Sequence, residues 1–122
     1  QTSMRFVHIA YHDFEGIVLD LDEQARLVAN LGEHEGMILR NHGLLVVGRS
    51  IAVAFNNIFR LERACQVQVA ALAANTELTM PSREILEKTH ELYKPTSRRA
   101  FGELEWPQLL KKLDRIDPSY RD

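Results

Sequence analysis

Five histidines and one cysteine carry most of the chemistry this 122-residue chain could offer: His8, His12, His34, His42, His90 and Cys65. A neutral imidazole binds divalent metals and moves protons near neutral pH, so the setting of each histidine decides its role. His8 and His12 are four residues apart, but across a strand end rather than along a helix, and that spacing forces no chelation. His34 lies between Glu33 and Glu35 in a charged turn. Adjacent side chains seldom converge on one ion, so a solvated turn is expected there. His90 falls on the surface of a helix, and Cys65 on the core stripe of another, where a packed thiol is expected rather than a nucleophile.

His42 is different. It stands in Arg40-Asn41-His42-Gly43, a polar island between Met37-Ile38-Leu39 and Leu44-Leu45-Val46-Val47. Short runs of branched aliphatics bounded by turn residues read as buried strands. Asn41 and Gly43 tolerate positive φ and let the chain reverse between them. The imidazole is thus carried on a rigid turn. A catalytic zinc site normally needs three protein ligands and an open position, and one histidine does not supply that. The residues alone leave two roles open for His42: metal ligand, or turn histidine bonded to backbone.

Residues 4–10, MRFVHIA, read as a strand that precedes this turn, with Phe6, His8 and Ala10 on one face. Tyr11-His12-Asp13-Phe14-Glu15-Gly16 follows as a surface connection whose aromatics cap the core. A helix is expected over residues 21–31. Asp20 and Glu23 form a capping-box-like pair at its start, Leu21, Ala25, Val28 and Leu31 face inward, and Gly32 is the left-handed cap.

Ser50 caps a long helix over residues 51–75, with a stripe of Ala54, Ile58, Leu61, Cys65, Val69 and Leu72. Ser82 opens a further helix to Tyr93, with Ile85, Leu86, Thr89 and Leu92 inward. Residues 94–99 form a proline-bearing hinge, and Pro107 starts a last helix that buries Leu109, Leu110 and Leu113. Residues 117–122 read as a frayed end. Few early strands and a helical second half give an α+β chain.

Composition narrows the function classes. Lys plus Arg total 15 against 17 Asp plus Glu, a net charge of −2 with no field to attract nucleic acid or anionic lipid. No apolar run approaches the ~18 residues that span a bilayer. The lone cysteine excludes an internal disulfide and a Cys-cluster zinc site, and fits a reducing cytoplasm. HExxH, GxGxxG, P-loop and GxSxG motifs are absent. The start at Gln1, almost directly in an apolar run, suggests a processed product or a fragment.

The order Tyr11…Gly16…Asn41-His42-Gly43-Leu44…Gly48-Arg49-Ser50…Ala54-Phe55…Leu61-Glu62-Arg63-Ala64 resembles the C-terminal half of the class II aldolase/adducin family. ILRNHGLLVVGRSIAVAF and the following ACQVQVAAL look closest to its adducin-like branch. The likeness covers residues 5–74 and weakens beyond them.

It implies an α/β/α sandwich-type α+β fold with a mostly antiparallel sheet flanked by helices, of which residues 1–122 form the C-terminal portion, the N-terminal half being absent. It implies that His42 is one of three histidines holding Zn²⁺ or another divalent metal. The other two sit in a His-x-His motif, near a catalytic Glu, that this sequence lacks. A parent of that kind is an aldolase-type lyase acting on a small sugar phosphate or hydroxy-keto acid through a metal-stabilised enediolate. The resemblance also implies a homo-oligomer, and the lone Cys65 a cytoplasmic one.

No catalytic residue is assigned within this chain, which is expected to be inactive alone. Glu62 matches a family helix position, where a structural ion pair is expected. The alternative the resemblance leaves open is a non-enzymatic, adducin-like module of cytoskeletal type that binds proteins.

Overall fold

The structure is a computed structural model and describes residues 2–16, 21–97 and 101–121. A 3-10 helix at Thr2–Phe6 leads to strand β1 (Ala10–His12), helix α1 (Leu21–Leu31), and strands β2 (Gly36–Leu39) and β3 (Gly43–Val46). Helices α2 (Ile51–Ala73), α3 (Arg83–Tyr93) and α4 (Trp106–Ile116) and a closing 3-10 helix (Pro118–Arg121) complete the described chain. The fold is α+β. The sheet runs β1-β2-β3, antiparallel between β2 and β3 and parallel between β1 and β2, so it is mixed. Helix α1 packs on β1, and α2 packs on β3 and β2.

The run at residues 4–10 departs from the strand its apolar character suggests. Residues 2–6 coil into the 3-10 helix, and strand geometry begins only at Ala10. Arg5 accounts for the difference. Its side chain is only 9% exposed. The guanidinium donates to Asn56 Oδ1 (3.3 Å), Glu35 Oε2 (3.3 Å) and Asn57 Oδ1, and lies over the Phe6 and Phe101 rings. Burying a charge is tolerable only when its donors are matched in this way. The coil also lets Phe6 and its neighbours pack between α2 and α3.

Helix α2 begins as its sequence dictates, with the Ser50 hydroxyl accepting from Val53 N (3.3 Å). The expected stripe is inward over its first part, with Leu61 buried and Ala54, Ile58 and Cys65 half-buried; Val53, Asn56, Asn57 and Ala64 are buried beside it, while Val69 and Leu72 are exposed. Two asparagines occupy core positions because they serve the Arg5 network. Asn57, fully buried, also donates to Val47 O (2.9 Å) and Glu35 Oε2 (3.4 Å). Gly48 allows the turn from β3 into α2, since a Cβ there would come within 2.6 Å of Ala54 N.

Helix α1 matches its expected bounds, and Gly32 caps it at φ +52°, donating to Val28 O (3.1 Å). Its inward face is not the expected one: Ala25 and Val28 are exposed, Glu23 is buried and Leu27 is half-buried. Asp20, and with it the proposed capping pair, lies outside the described residues, as do Arg98 and Arg99 of the expected hinge.

Ser82 caps α3 by accepting from Ile85 N (3.4 Å), but Ile85 and Leu92 face outward while Leu86, His90 and Tyr93 are half-buried. On α4, Leu110 is half-buried and Leu109 and Leu113 are more exposed than expected. Trp106 anchors that helix edge-on against Phe55, 5.4 Å between ring centroids. The expected frayed end is instead a short 3-10 helix tied back by Asp114, which accepts from Tyr120 (2.6 Å) and Arg121 (2.7 Å).

Replacing Asn57 by Ala removes one of the three acceptors of the buried Arg5 guanidinium and the side-chain donor to the Val47 carbonyl. The expected cost is about 2–4 kcal/mol, read from urea unfolding of the two proteins. A loss below ~0.5 kcal/mol would show that the buried network does not hold the fold.

Candidate functional site

The turn that carries His42 joins two paired strands. Leu39 lies opposite Gly43, leaving Arg40, Asn41 and His42 as a three-residue connection closed by His42 N donating to Leu39 O (3.1 Å). Asn41 takes the left-handed conformation at φ +55°. Gly43 does not, contrary to the sequence reading, and a Cβ there would meet nothing within 4 Å. The reversal therefore rests on Asn41, whose short amide side chain tolerates that backbone.

The His42 side chain is exposed and lines a cavity of about 30 Å³ together with His12, Phe14, Glu15, Glu23 and Arg40. The cavity is assembled from the Tyr11–Gly16 loop, the first turn of α1 and the β2–β3 turn. Arg40 N donates to His12 O (2.9 Å), the Arg40 guanidinium meets Asp13 (2.9 Å), and its Cζ lies 4.8 Å from the centroid of the Tyr11 ring.

The loop is built opposite to its expected sense. Tyr11 and Phe14 are about half exposed (49% and 55%), while His12 is buried (4%). Strand alternation explains this: Ala10 and His12 share the buried face of β1 and Tyr11 takes the other.

Asn30 Nδ2 lies 2.8 Å from His12 Nδ1. On the other side of the ring, Nε2 faces Glu23 Oε1 (3.6 Å) and Glu15 Oε1 (3.9 Å), beyond hydrogen-bond reach. Nε2 is the one buried side-chain polar atom among the described residues that has no hydrogen-bond partner. Glu23 is itself buried, at 4% exposed. A buried polar atom in this state calls for an explanation. The period-two pattern could have revealed His12 had the strand been extended two residues beyond Ala10.

Glu15 is held by Arg26, whose Nε and Nη2 donate to its two oxygens (3.1 and 2.5 Å). That paired hydrogen bond, with the positive charge, holds the Glu15 carboxyl below the usual glutamate range.

The other singled-out residues lie elsewhere. His8 Nε2 pairs with Glu87 Oε2 (2.7 Å), and its ring meets His90 edge-on at 4.9 Å. His90, expected on the surface, is half-buried and its Nδ1–H donates to Arg5 O (2.8 Å). His34 is exposed and borders a separate groove of about 200 Å³ with Arg5, His8, Glu35 and His90. Burial, with the nearby Glu62 charge, pushes the Cys65 thiol up from its ordinary value, which suits a packing role. Glu62 accepts from Gln66 Nε2 (2.9 Å), an exposed contact on α2. Among the described residues, no three metal-ligating side chains converge, and no helix is long and apolar enough to cross a membrane.

The family model of the class II aldolase and adducin N-terminal domain matches residues 1–69, more than half of the chain. The chain belongs to the class II aldolase and adducin family. A Pseudomonas aeruginosa protein named for class 2 aldolases is 43% identical over 116 residues, which cover 93% of this chain and 45% of that protein. Rat alpha-adducin is 46% identical over 121 residues, 88% of this chain and 16% of adducin. The crystal structure of an aldolase II superfamily protein from Pseudomonas syringae superposes with a TM-score of 0.82 at 42% identity, over all of this chain and 50% of that one. The chain thus spans about half the length, or less, of the relatives it matches.

Replacing Glu15 by Gln removes the negative half of the Arg26 pair. A carboxylate whose folded pKa is depressed stabilises the fold above its unfolded pKa, and that contribution is lost as pH falls through the lower folded value. The wild-type protein should therefore melt higher than E15Q at pH 7, with the gap closing below about pH 4. A gap that stays constant down to pH 3 would contradict the assignment.

Proposed function

We propose that the complete protein is a divalent-metal-dependent lyase of the aldolase type, with zinc its metal, acting on a small sugar phosphate or hydroxy-keto acid. His42 is the ligand that this chain contributes. The observation that carries the reading is the presentation of His42: exposed, on a backbone-closed turn between paired strands, lining a cavity that a buried histidine, His12, also lines. A ligand mounted in this way loses little freedom on binding.

The described residues do not fit a complete metal site, since one imidazole is well short of the three protein ligands of a catalytic zinc. The remaining ligands are therefore assigned to protein outside residues 1–122, and the 122-residue chain alone is catalytically silent. We place the complete protein in the cytoplasm as a homo-oligomer, on the single reduced cysteine and the family likeness.

A second reading is supported by the likeness to alpha-adducin: a non-enzymatic module whose fold serves protein contact. Upstream sequence separates the two readings, since a His-x-His with a nearby Glu belongs only to the metal-dependent lyase.

The direct test is metal titration of the full-length protein by calorimetry. Wild type should bind about one zinc per protomer, and His42→Ala should weaken binding by more than the roughly 10–100-fold that disturbing an outer-shell partner costs. Unchanged affinity in the variant, or no zinc bound by wild type, would overturn the lyase reading.

A further inference from the structure

Among the residues that line the cavity beside His42, His12 carries the unpartnered buried atom, Nε2. Its protonation follows from both sides of the ring. Asn30 Nδ2 can only donate, so Nδ1 accepts and the ring hydrogen sits on Nε2. Two carboxylates, Glu23 Oε1 at 3.6 Å and Glu15 Oε1 at 3.9 Å, face that N–H and favour the same arrangement. Both are too far to accept it well, yet an oxygen beside the pair, about 2.8 Å from both Nε2 and Glu23 Oε1, can bridge their 3.6 Å separation. Such an oxygen must accept from Nε2–H and donate to a carboxylate. A hydroxyl group or water does both.

An anionic oxygen cannot donate and would meet the charges of Glu15 and Glu23. The space of about 30 Å³ is enough for a water or a single hydroxyl.

We propose that His12 and Glu23 form a hydroxyl-reading subsite beside His42, filled by water in the free protein and by a neutral hydroxyl of the bound substrate. The inference rests on the reading of the β2–β3 turn as part of a substrate site. It adds a constraint which that reading does not contain: the substrate carries a free hydroxyl directed at His12, and any phosphate or carboxylate it bears is bound elsewhere. His12 is here a specificity residue that touches substrate, and Asn30 is a positioning residue that fixes its tautomer.

Dihydroxyacetone and hydroxyacetone separate the possibilities. Both offer a carbonyl with one adjacent hydroxyl, and only the first has a second hydroxyl. The full-length protein, labelled with ¹⁵N-histidine, is titrated with each compound, zinc-loaded and metal-free, following the His12 Nε2–H resonance. Dihydroxyacetone should shift this resonance and bind about five- to tenfold more tightly than hydroxyacetone. His12→Leu should abolish the preference, measured by calorimetry, and His12→Gln, which keeps an N–H donor, should restore part of it.

Equal affinities in wild type, a preference that survives His12→Leu, or a His12 resonance unmoved by dihydroxyacetone in either metal state would overturn the proposal. So would a retained, isolated water at Nε2 in crystals soaked with dihydroxyacetone. Failure to load zinc defeats the lyase reading alone, because the hydroxyl preference is then scored on the metal-free protein.

Discussion

The buried guanidinium of Arg5 is the constraint on which the rest depends. It is bonded to Asn56, Asn57 and Glu35, and Asn57 in turn holds the carbonyl of Val47 at the end of β3. Four parts of the chain are joined there: the first 3-10 helix, the entry to β2, the exit of β3 and the first turns of α2. A buried, charge-assisted network of this kind is costly to break, because each lost partner strands a group that cannot reach water. Its placement at the base of the β2–β3 hairpin fixes the opposite end, where His42 sits.

From that base the site is built by backbone rather than by side-chain packing. The antiparallel pairing ends at Leu39 and Gly43, Asn41 alone takes the left-handed conformation, and Arg40 N bonds β1 through His12 O. The same bond that sets the turn therefore sets the depth of His12. Two histidines 30 positions apart in sequence line one small cavity. His42 is open and available to a ligand. His12 is enclosed among groups that favour a neutral hydroxyl.

Much of this was legible in the sequence where local rules act alone. Ser50 and Ser82 cap α2 and α3 as their positions require, Gly32 ends α1, and Asn41 and His42 lie between two short strands. Local rules failed where a long-range partner overrode them. An apolar run at residues 4–10 gave no sign that Arg5 would turn inward, because its partners Asn56 and Asn57 lie some 50 positions away. The same override placed two asparagines on the buried face of α2. At Tyr11–Phe14, hydrophobicity favoured burying the aromatics, and strand alternation buried the histidine instead. Family likeness, not spacing, supplied the metal chemistry, since no pair of these histidines has a chelating register.

The central claim is that His42 is one leg of a metal site completed from outside this chain. Anomalous diffraction at the zinc edge, from crystals of the full-length protein grown with zinc, tests it most directly. The account expects a peak about 2.0–2.1 Å from a ring nitrogen of His42, with every other protein ligand lying outside residues 1–122. A zinc peak elsewhere, with His42 unliganded, would contradict it.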